Sequence, residues 1–175
     1  EGKVDSIKLI TAPGAKEEIL SLIRSARTQI ESEQMSMPLN WRDPKDKEQK
    51  PKKKAAQAKR SGTEEEEEDP SLKPNPIVLA WVQAAHHKHV TVRVILNDDR
   101  VFDVPGDKTP SRTNLKTARF IQALATCNPS WRIEARIINV EKTGVTYIHN
   151  KGYLVDDNKA LVSSINGSQN SMTNN

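Results

Sequence analysis

A long charged segment divides the sequence and limits what the rest of it can fold into. Residues 43–76 read "DPKDKEQKPKKKAAQAKRSGTEEEEEDPSLKPNP", a basic block followed by an acidic block, with prolines and almost no apolar side chains. Such a stretch buries too little apolar surface to offset the entropy of ordering its backbone. We therefore predict a disordered charged insertion at about residues 43–75, with the hydrophobic core built from the sequence on either side.

The rest of the sequence predicts a single domain, residues 1–175, interrupted by that insertion. A chain of 175 residues suits one core of ordinary size. No run approaches the roughly 20 apolar residues of a membrane-spanning helix, so we expect a soluble protein, either cytoplasmic or secreted and membrane-peripheral. The sequence begins at Glu1 rather than at a methionine, which leaves the compartment open. Cys127 is the only cysteine, which excludes an internal disulfide framework and a cysteine-based zinc site.

Hydrophobic periodicity outside the insertion alternates between the strand and the helix pattern. Strands are predicted at residues 6–12, 29–37, 90–98, 131–140, 146–155 and 159–165, and helices at 19–26, 76–89 and 115–124. A polar loop is predicted at residues 97–110. This order indicates an α/β fold, a mixed sheet sandwiched by helices in αβα layers.

Near the end of the sequence, "HNKGYLVDDNKALVSSINGSQN" combines residues suited to phosphate chemistry. His149 and Lys151 are two residues apart, so in a strand their side chains project from the same face. A neutral imidazole is a competent nucleophile or general acid/base, and a neighbouring ammonium stabilises the negative oxygens of a phosphoryl group. Ser164 and Asn166 repeat the spacing and offer uncharged hydrogen-bond donors. Alone, a His-x-Lys pair at a strand edge is a weak signal.

The longer pattern is much more specific. His149, Lys151 and Asp156 follow the spacing H-x-K-x4-D, and "SSIN" follows seven residues after Asp156. In these residues, and in "LAWVQAAHHKHVTVRVILND", the chain resembles one half of a phospholipase D superfamily enzyme. The resemblance implies that His149 is the nucleophile that forms a phosphohistidine, or else the acid for the leaving group. It also implies that Lys151 binds the phosphate with help from Ser164 and Asn166.

The same resemblance implies an indirect role for Asp156, as an anchor for the strand and its turn. Five residues beyond Lys151, Asp156 would face the opposite side of a regular strand, which agrees with that role. Residues of the strand at 29–37 approach the site in related enzymes, so Glu33 and Gln34 are further candidates. No metal and no cofactor are expected. "HHKH", residues 86–89, lacks nearby carboxylates or cysteines and fits a helix C-terminus better than a metal site.

The sequence departs from the family pattern in two ways. Gly167 stands where related sequences often have tryptophan, and the sequence ends at Asn175 before an expected acidic residue that orients the histidine. We therefore interpret the chain as a C-terminally truncated half. In addition, family active sites combine two such motifs and this sequence has one. The second half is expected either from the same longer chain or from a homodimer partner.

Three functions remain open at this point. The favoured one is a phospholipase D-like phosphodiesterase that acts on phospholipids, by hydrolysis or headgroup transfer. The second is a metal-independent nuclease of the same superfamily, which suits the net charge of +4 and the pI near 9.2. The third, of another class, is a non-catalytic half that pairs with a catalytic partner; the missing acidic residue keeps this alternative open.

Overall fold

The chain folds around one five-stranded sheet. The computed structural model describes residues 4–12, 14–42, 72–106 and 111–173. The helices are α1 (Ala15–Arg24), α2 (Pro76–Lys88), α3 (Thr113–Cys127), α4 (Val140–Thr143) and α5 (Gln169–Thr173), with a 3-10 turn at Asp99–Phe102. The strands are β1 (Gln29–Gln34), β2 (Asn40–Arg42), β3 (Leu72–Pro74), β4 (Thr91–Leu96), β5 (Ile133–Ile137), β6 (Lys151–Val155) and β7 (Lys159–Ser163).

The sheet is mixed, with strand order β5-β4-β1-β6-β7. Strands β1, β4 and β5 are parallel, because each successive pair is joined by a crossover that contains a helix, α2 or α3. Strands β6 and β7 form a hairpin, and β6 runs antiparallel to β1. The predicted α/β fold, a mixed sheet flanked by helices, is confirmed. Strands β2 and β3 pair separately as a short ribbon.

Burial alternates along the strands, so the sheet has one buried and one exposed face. The buried face, which we call the inner face, carries Ile30, Val92, Val94, Ile133, Ala135, Tyr153 and Val155, all at most 4% exposed. These side chains join residues of α1, α2 and α3 in a single core. The opposite or outer face carries a row of ion pairs, in which Arg93 lies 3.3 Å from Glu31 and 3.6 Å from Glu134.

The predicted strand at residues 6–12 is wrong. The segment has strand-like alternation, but it pairs with no strand among the described residues, and Ile7 and Leu9 are 91% and 85% exposed. An extended segment becomes a strand only where a sheet edge accepts its hydrogen bonds. Periodicity cannot reveal whether such an edge exists.

The charged insertion is shorter at its C-terminal end than predicted. Residues 43–71 of it lie outside the described residues. The predicted disorder is wrong for residues 72–75, because Leu72–Pro74 pairs with β2 and Asn75 is fully buried. The Asn75 side chain accepts a hydrogen bond from the Ile77 backbone N–H at 2.9 Å and so caps α2, whose first residue is Pro76.

Candidate active site

The candidate site lies at the edge of the sheet where the parallel strands end. Gln34 and Leu96 close β1 and β4 there, and Lys151 opens the antiparallel strand β6 at the same edge. Strand β7 ends beside it, since Ser163 pairs with Lys151. The carboxyl ends of parallel strands are a common place for ligand sites, because the connecting loops diverge there.

His149 was predicted to lie inside the strand at residues 146–155. It lies instead just before β6, which begins at Lys151. Its side chain is exposed, and its ring stands edge-on to that of Tyr147, with centroids 5.8 Å apart. Two hydrogen bonds hold the backbone on either side: Ile148 N–H donates to Asn97 Oδ1 at 2.7 Å, and Met35 N–H donates to the Asn150 carbonyl at 3.1 Å. The imidazole is therefore accessible while its backbone is held in place.

Lys151 is the least expected member of the site, because its side chain is only 3% exposed. The ammonium donates to the His149 carbonyl at 2.7 Å and contacts Met35 Sδ at 3.3 Å. In the described part of the chain, no ion pair with a carboxylate involves Lys151. Burial lowers the pKa of Lys151. An ammonium has three N–H donors, so this buried cation still has a donor and a charge available for an anion.

Gln34 lies directly opposite Lys151 across the β1–β6 pair and is fully buried. Its Nε2 donates to Ser32 Oγ at 3.0 Å and more weakly to the Gly152 carbonyl at 3.4 Å. Its Oε1 is buried and has no hydrogen-bond partner among the described residues. These hydrogen bonds hold the Gln34 side chain in place next to Lys151 on the buried side of the sheet. Glu33 points instead to the outer face, where its carboxylate accepts from Asn150 Nδ2 at 2.7 Å.

The segment after β7 returns alongside the end of β1. Gly167 N–H donates to the Ser36 carbonyl at 3.0 Å, and the Gly167 carbonyl accepts from Trp41 Nε1 and Asn75 Nδ2 at 3.1 and 2.9 Å. A Cβ at Gly167 would lie 2.2 and 2.3 Å from the Met37 methyl and sulfur, so Met37 would have to move to admit a side chain here. Ser164 is exposed, while Asn166 Oδ1 is buried and lacks a partner among the residues described.

Asp156 lies at the other end of β6, away from His149 and Lys151. It occupies a turn with φ 53°, so strand alternation does not set the direction of its side chain. The carboxylate accepts from the backbone N–H groups of Arg27, Thr28 and Gln29 at 2.8–3.1 Å and from Thr28 Oγ1 at 2.9 Å. Burial acts to raise the pKa of Asp156, but these hydrogen bonds outweigh it and hold the pKa well below its usual value. This is the geometry of an anchor between β6 and the entry to β1.

Two adjoining hollows meet at His149. A groove of about 800 Å³ runs over the outer face and is bordered by Glu33, His149 and Lys151. A second hollow of about 440 Å³ also borders His149, with Tyr147 and Ile148 in its wall. Ser164, Asn166 and Gln34 border neither. In the described ranges, no group of three or more His, Cys, Asp or Glu side chains is arranged to hold a metal ion.

Sequence reasoning missed two residues that shape the site. Asn97 is fully buried at the end of β4, where its side chain supports the backbone next to His149 and its carbonyl accepts from Asn114 Nδ2 at 3.0 Å. A polar residue directly after a clear parallel strand is a signal that could have identified it. Tyr147 was missed because its contact with His149 depends on the path of the chain before β6, which periodicity does not predict.

The chain is similar to proteins of one known family in sequence and to solved structures in fold. Residues 69–175 match the family model described as "Cardiolipin synthase, PLD-like domain". The solved structure of Nuc, a phospholipase D family member from Salmonella typhimurium, superposes with a TM-score of 0.52 and 18% identity, covering 94% of this chain and 73% of that one. NucT from Helicobacter pylori gives 0.47 and 15%, covering 93% and 72%. No curated protein matches the chain. The resemblance inferred from the sequence is confirmed.

Proposed function

Because the chain belongs to the family described as "Cardiolipin synthase, PLD-like domain" and is thus a phosphodiesterase of the PLD-like superfamily, we propose that it acts on phospholipids through a phosphohistidine at His149. The observation that carries this proposal is the buried ammonium of Lys151. It contacts the His149 carbonyl and has no carboxylate partner among the described residues. A buried cation without a counter-charge is a site for an anion, and its hydrogen bond to the His149 carbonyl holds it against the residue that carries the accessible imidazole.

The chemistry follows from these two side chains. An imidazole nitrogen of His149 attacks phosphorus, a P–N bond forms, and the P–O bond to the leaving alcohol breaks. Lys151 binds a non-bridging oxygen and stabilises the charge that develops there, with Ser164 and Asn166 as additional donors. Water or an alcohol then attacks phosphorus and passes its proton to a base of the second half-site, the P–N bond breaks, and a phosphomonoester or a new diester leaves. The leaving oxygen takes its proton from the second half-site, supplied by the same longer chain or by a homodimer partner.

Asp156 supports this chemistry from a distance. Its hydrogen bonds join the end of β6 to residues 27–29, and so fix the strand that begins with Lys151. Glu33 contributes through Asn150, and Gln34 through its buried side chain opposite Lys151. We assign these three residues positioning roles.

Two alternatives remain distinct. A metal-independent nuclease of the same superfamily is favoured by the net charge of +4, since a phosphate backbone attracts a basic protein. We prefer phospholipids to nucleic acids as the substrate, because the description of the matched family names cardiolipin synthase. A non-catalytic pairing half would keep the fold and the Lys151 site without forming a covalent intermediate.

The test is turnover of bis(p-nitrophenyl) phosphate, of phosphatidylglycerol in mixed micelles and of single-stranded DNA, all in EDTA. Phosphohistidine is trapped by an alkaline quench, because its P–N bond is hydrolysed in acid. The unmodified chain, His149→Ala and the matched control His87→Ala are compared, each with its mass from light scattering. We expect turnover and a phosphohistidine that disappear only in His149→Ala.

Each alternative predicts a different result. Cleavage of DNA without action on the lipid would establish the nuclease. A folded protein that neither turns over any diester nor forms phosphohistidine, alone or with a chain that supplies the second motif, would refute catalysis and leave the pairing role. A dimeric mass in an active sample would identify a homodimer partner as the source of the second half-site.

A further inference from the structure

Four exposed apolar side chains lie on the two segments whose rings, Phe102 and Tyr147, lead to His149. They are Phe102, Val104, Val145 and Tyr147, which are 49%, 67%, 44% and 43% exposed. Phe102 and Tyr147 contact each other, with ring centroids 6.0 Å apart, and each valine lies two residues from one of these rings. We call these four residues the apolar rim. Single exposed apolar residues are ordinary, but a cluster beside a candidate site indicates a binding surface.

The apolar rim is continuous with the site. The Tyr147 ring stands edge-on to the His149 ring at 5.8 Å. Val145 and Tyr147 also form part of the wall of the 440 Å³ hollow that borders His149, together with Ile137 and Ile138. A partner that covers the apolar rim would therefore lie directly against the candidate nucleophile.

Two arginines close to the rim in the sequence, Arg100 and Arg112, are paired with carboxylates of the protein itself. Arg100 makes three side-chain hydrogen bonds to the Asp98 carboxylate at 2.6–3.0 Å. Arg112 makes a bidentate pair with Asp103, at 2.7 and 2.8 Å. A nucleic-acid backbone is bound by cations that are available to its phosphates, whereas these two guanidinium groups are engaged by carboxylates.

The shape of the rim also disfavours nucleobases. Its two rings meet at an interplanar angle of 63°, so they do not offer a common face on which successive bases could stack. The valines have no π face, but branched and aromatic side chains both gain by entering the boundary between lipid headgroups and acyl chains. Tyrosine in particular is enriched at such interfaces, because its ring is apolar and its hydroxyl stays hydrated.

We propose that the apolar rim docks on a lipid surface and so presents His149 to the phosphodiester of a membrane lipid. This inference rests on the proposed function, since it supplies the lipid substrate with a route to the site. Among the described residues, no helix has the length and apolar character to span a bilayer. Docking of this kind is peripheral and reversible.

The test measures binding separately from catalysis. All proteins carry His149→Ala, so that no lipid is consumed, and are mixed with vesicles of phosphatidylcholine alone or with added phosphatidylglycerol. Val104→Asp and Phe102→Ser should each lower the vesicle-bound fraction by about tenfold, because a charge or a hydroxyl replaces apolar area that would enter the interface. Ile7→Asp is the matched control, since Ile7 is exposed to 91% and lies outside the rim; it should bind like its parent.

A second measurement does not depend on losing binding. In a Cys127→Ser background, an environment-sensitive fluorophore is attached through Val104→Cys or, as the control, through Ile7→Cys. We expect a blue shift on phosphatidylcholine vesicles at the first position only. A parent that does not bind either vesicle, or rim variants that bind as well as the parent, would overturn the inference. So would binding of a single-stranded oligonucleotide that is lost in Val104→Asp.

The two proposals can fail separately. If the parent binds vesicles through the rim but the unmodified chain forms no phosphohistidine, the proposed function fails and the docking surface stands. If the unmodified chain turns over bis(p-nitrophenyl) phosphate through His149 while the rim variants change no lipid binding, the docking surface fails and the catalytic assignment stands.

Discussion

The strongest prediction on stability concerns the carboxylate of Asp156. It accepts from three backbone N–H groups and one hydroxyl, which belong to Arg27, Thr28 and Gln29. In Asp156→Asn, one oxygen becomes an NH2 group that faces donors, and the charge is lost. Hydrogen bonds to a charged group contribute roughly 1 kcal/mol more than neutral ones. Because the carboxylate is partly exposed and the bonds are not additive, we expect the free energy of unfolding to fall by about 2 kcal/mol.

The pH dependence of this effect has a definite sign. The pKa of Asp156 is lower in the folded than in the unfolded chain, so the folded state binds fewer protons here. Its stabilisation is therefore complete above the unfolded pKa of about 3.9 and is lost as the pH falls below it. The difference in stability between the unmodified chain and Asp156→Asn should be full at neutral pH and should shrink in acid.

Urea unfolding, followed by far-UV circular dichroism at pH 7 and at pH 3, measures both effects. Asp157→Asn is the matched control, because Asp157 has a similar φ of 56°, adjoins Asp156 and is exposed. The control should change the free energy of unfolding by less than about 0.5 kcal/mol. Equal losses for the two variants, or a loss at Asp156 that does not diminish in acid, would refute the anchoring argument.

Three further predictions concern the site. Lys151→Met should raise the free energy of unfolding by about 1 kcal/mol in phosphate-free buffer at neutral pH, and should abolish the increase in Tm that inorganic phosphate gives the unmodified chain. Gly167→Ala should cost about 1–2 kcal/mol by displacing Met37, measured by thermal melting. Asn97→Ala should lower kcat by about tenfold with little change in KM, because the N–H of Ile148 beside the candidate nucleophile loses its acceptor.

Each of these has an outcome that contradicts it. Because burial lowers the pKa of Lys151, the stability advantage of Lys151→Met should shrink as the pH increases towards the unfolded pKa of about 10.4, and an advantage that grows with pH would contradict the prediction. A phosphate response that survives in Lys151→Met would place the anion elsewhere. Additive effects in a cycle of Gly167→Ala with Met37→Ala would exclude the clash. A change confined to KM in Asn97→Ala would indicate substrate binding rather than positioning.

Strong periodicity was sufficient to predict several elements. The alternation in "VTVRVILN" predicts a strand because four apolar residues fall on one face, and β4 is observed at Thr91–Leu96. Helix α2 was predictable from its apolar content and from Pro76 at its first turn. The segment at residues 6–12 has a similar local pattern and forms no strand, because pairing depends on a sheet edge that no local pattern encodes.

Spacing was enough to indicate a candidate site, but not the exposure and contacts of its residues. The motif indicated His149 and Lys151, yet a strand edge implies similar exposure for both. The structure instead buries Lys151 against Met35, because the residue that follows β1 contacts the ammonium through its sulfur. That contact joins residues 116 positions apart, and the hydrogen bond from Ile148 to Asn97 joins residues 51 positions apart. Contacts of this range follow from topology, which the sequence pattern only suggests.

The two charged residues at the ends of β6, Lys151 and Asp156, have opposite surroundings, and this difference indicates what each does. The carboxylate of Asp156 is fully engaged by donors of the chain itself, so its role is complete in the resting protein. The ammonium of Lys151 is buried with a carbonyl and a thioether as its contacts, which costs stability that no described ion pair offsets. A fold selected for stability alone would place an apolar side chain there. The cation is therefore best explained by an anion that binds during function, and a phosphodiester next to His149 is the anion that the family membership predicts.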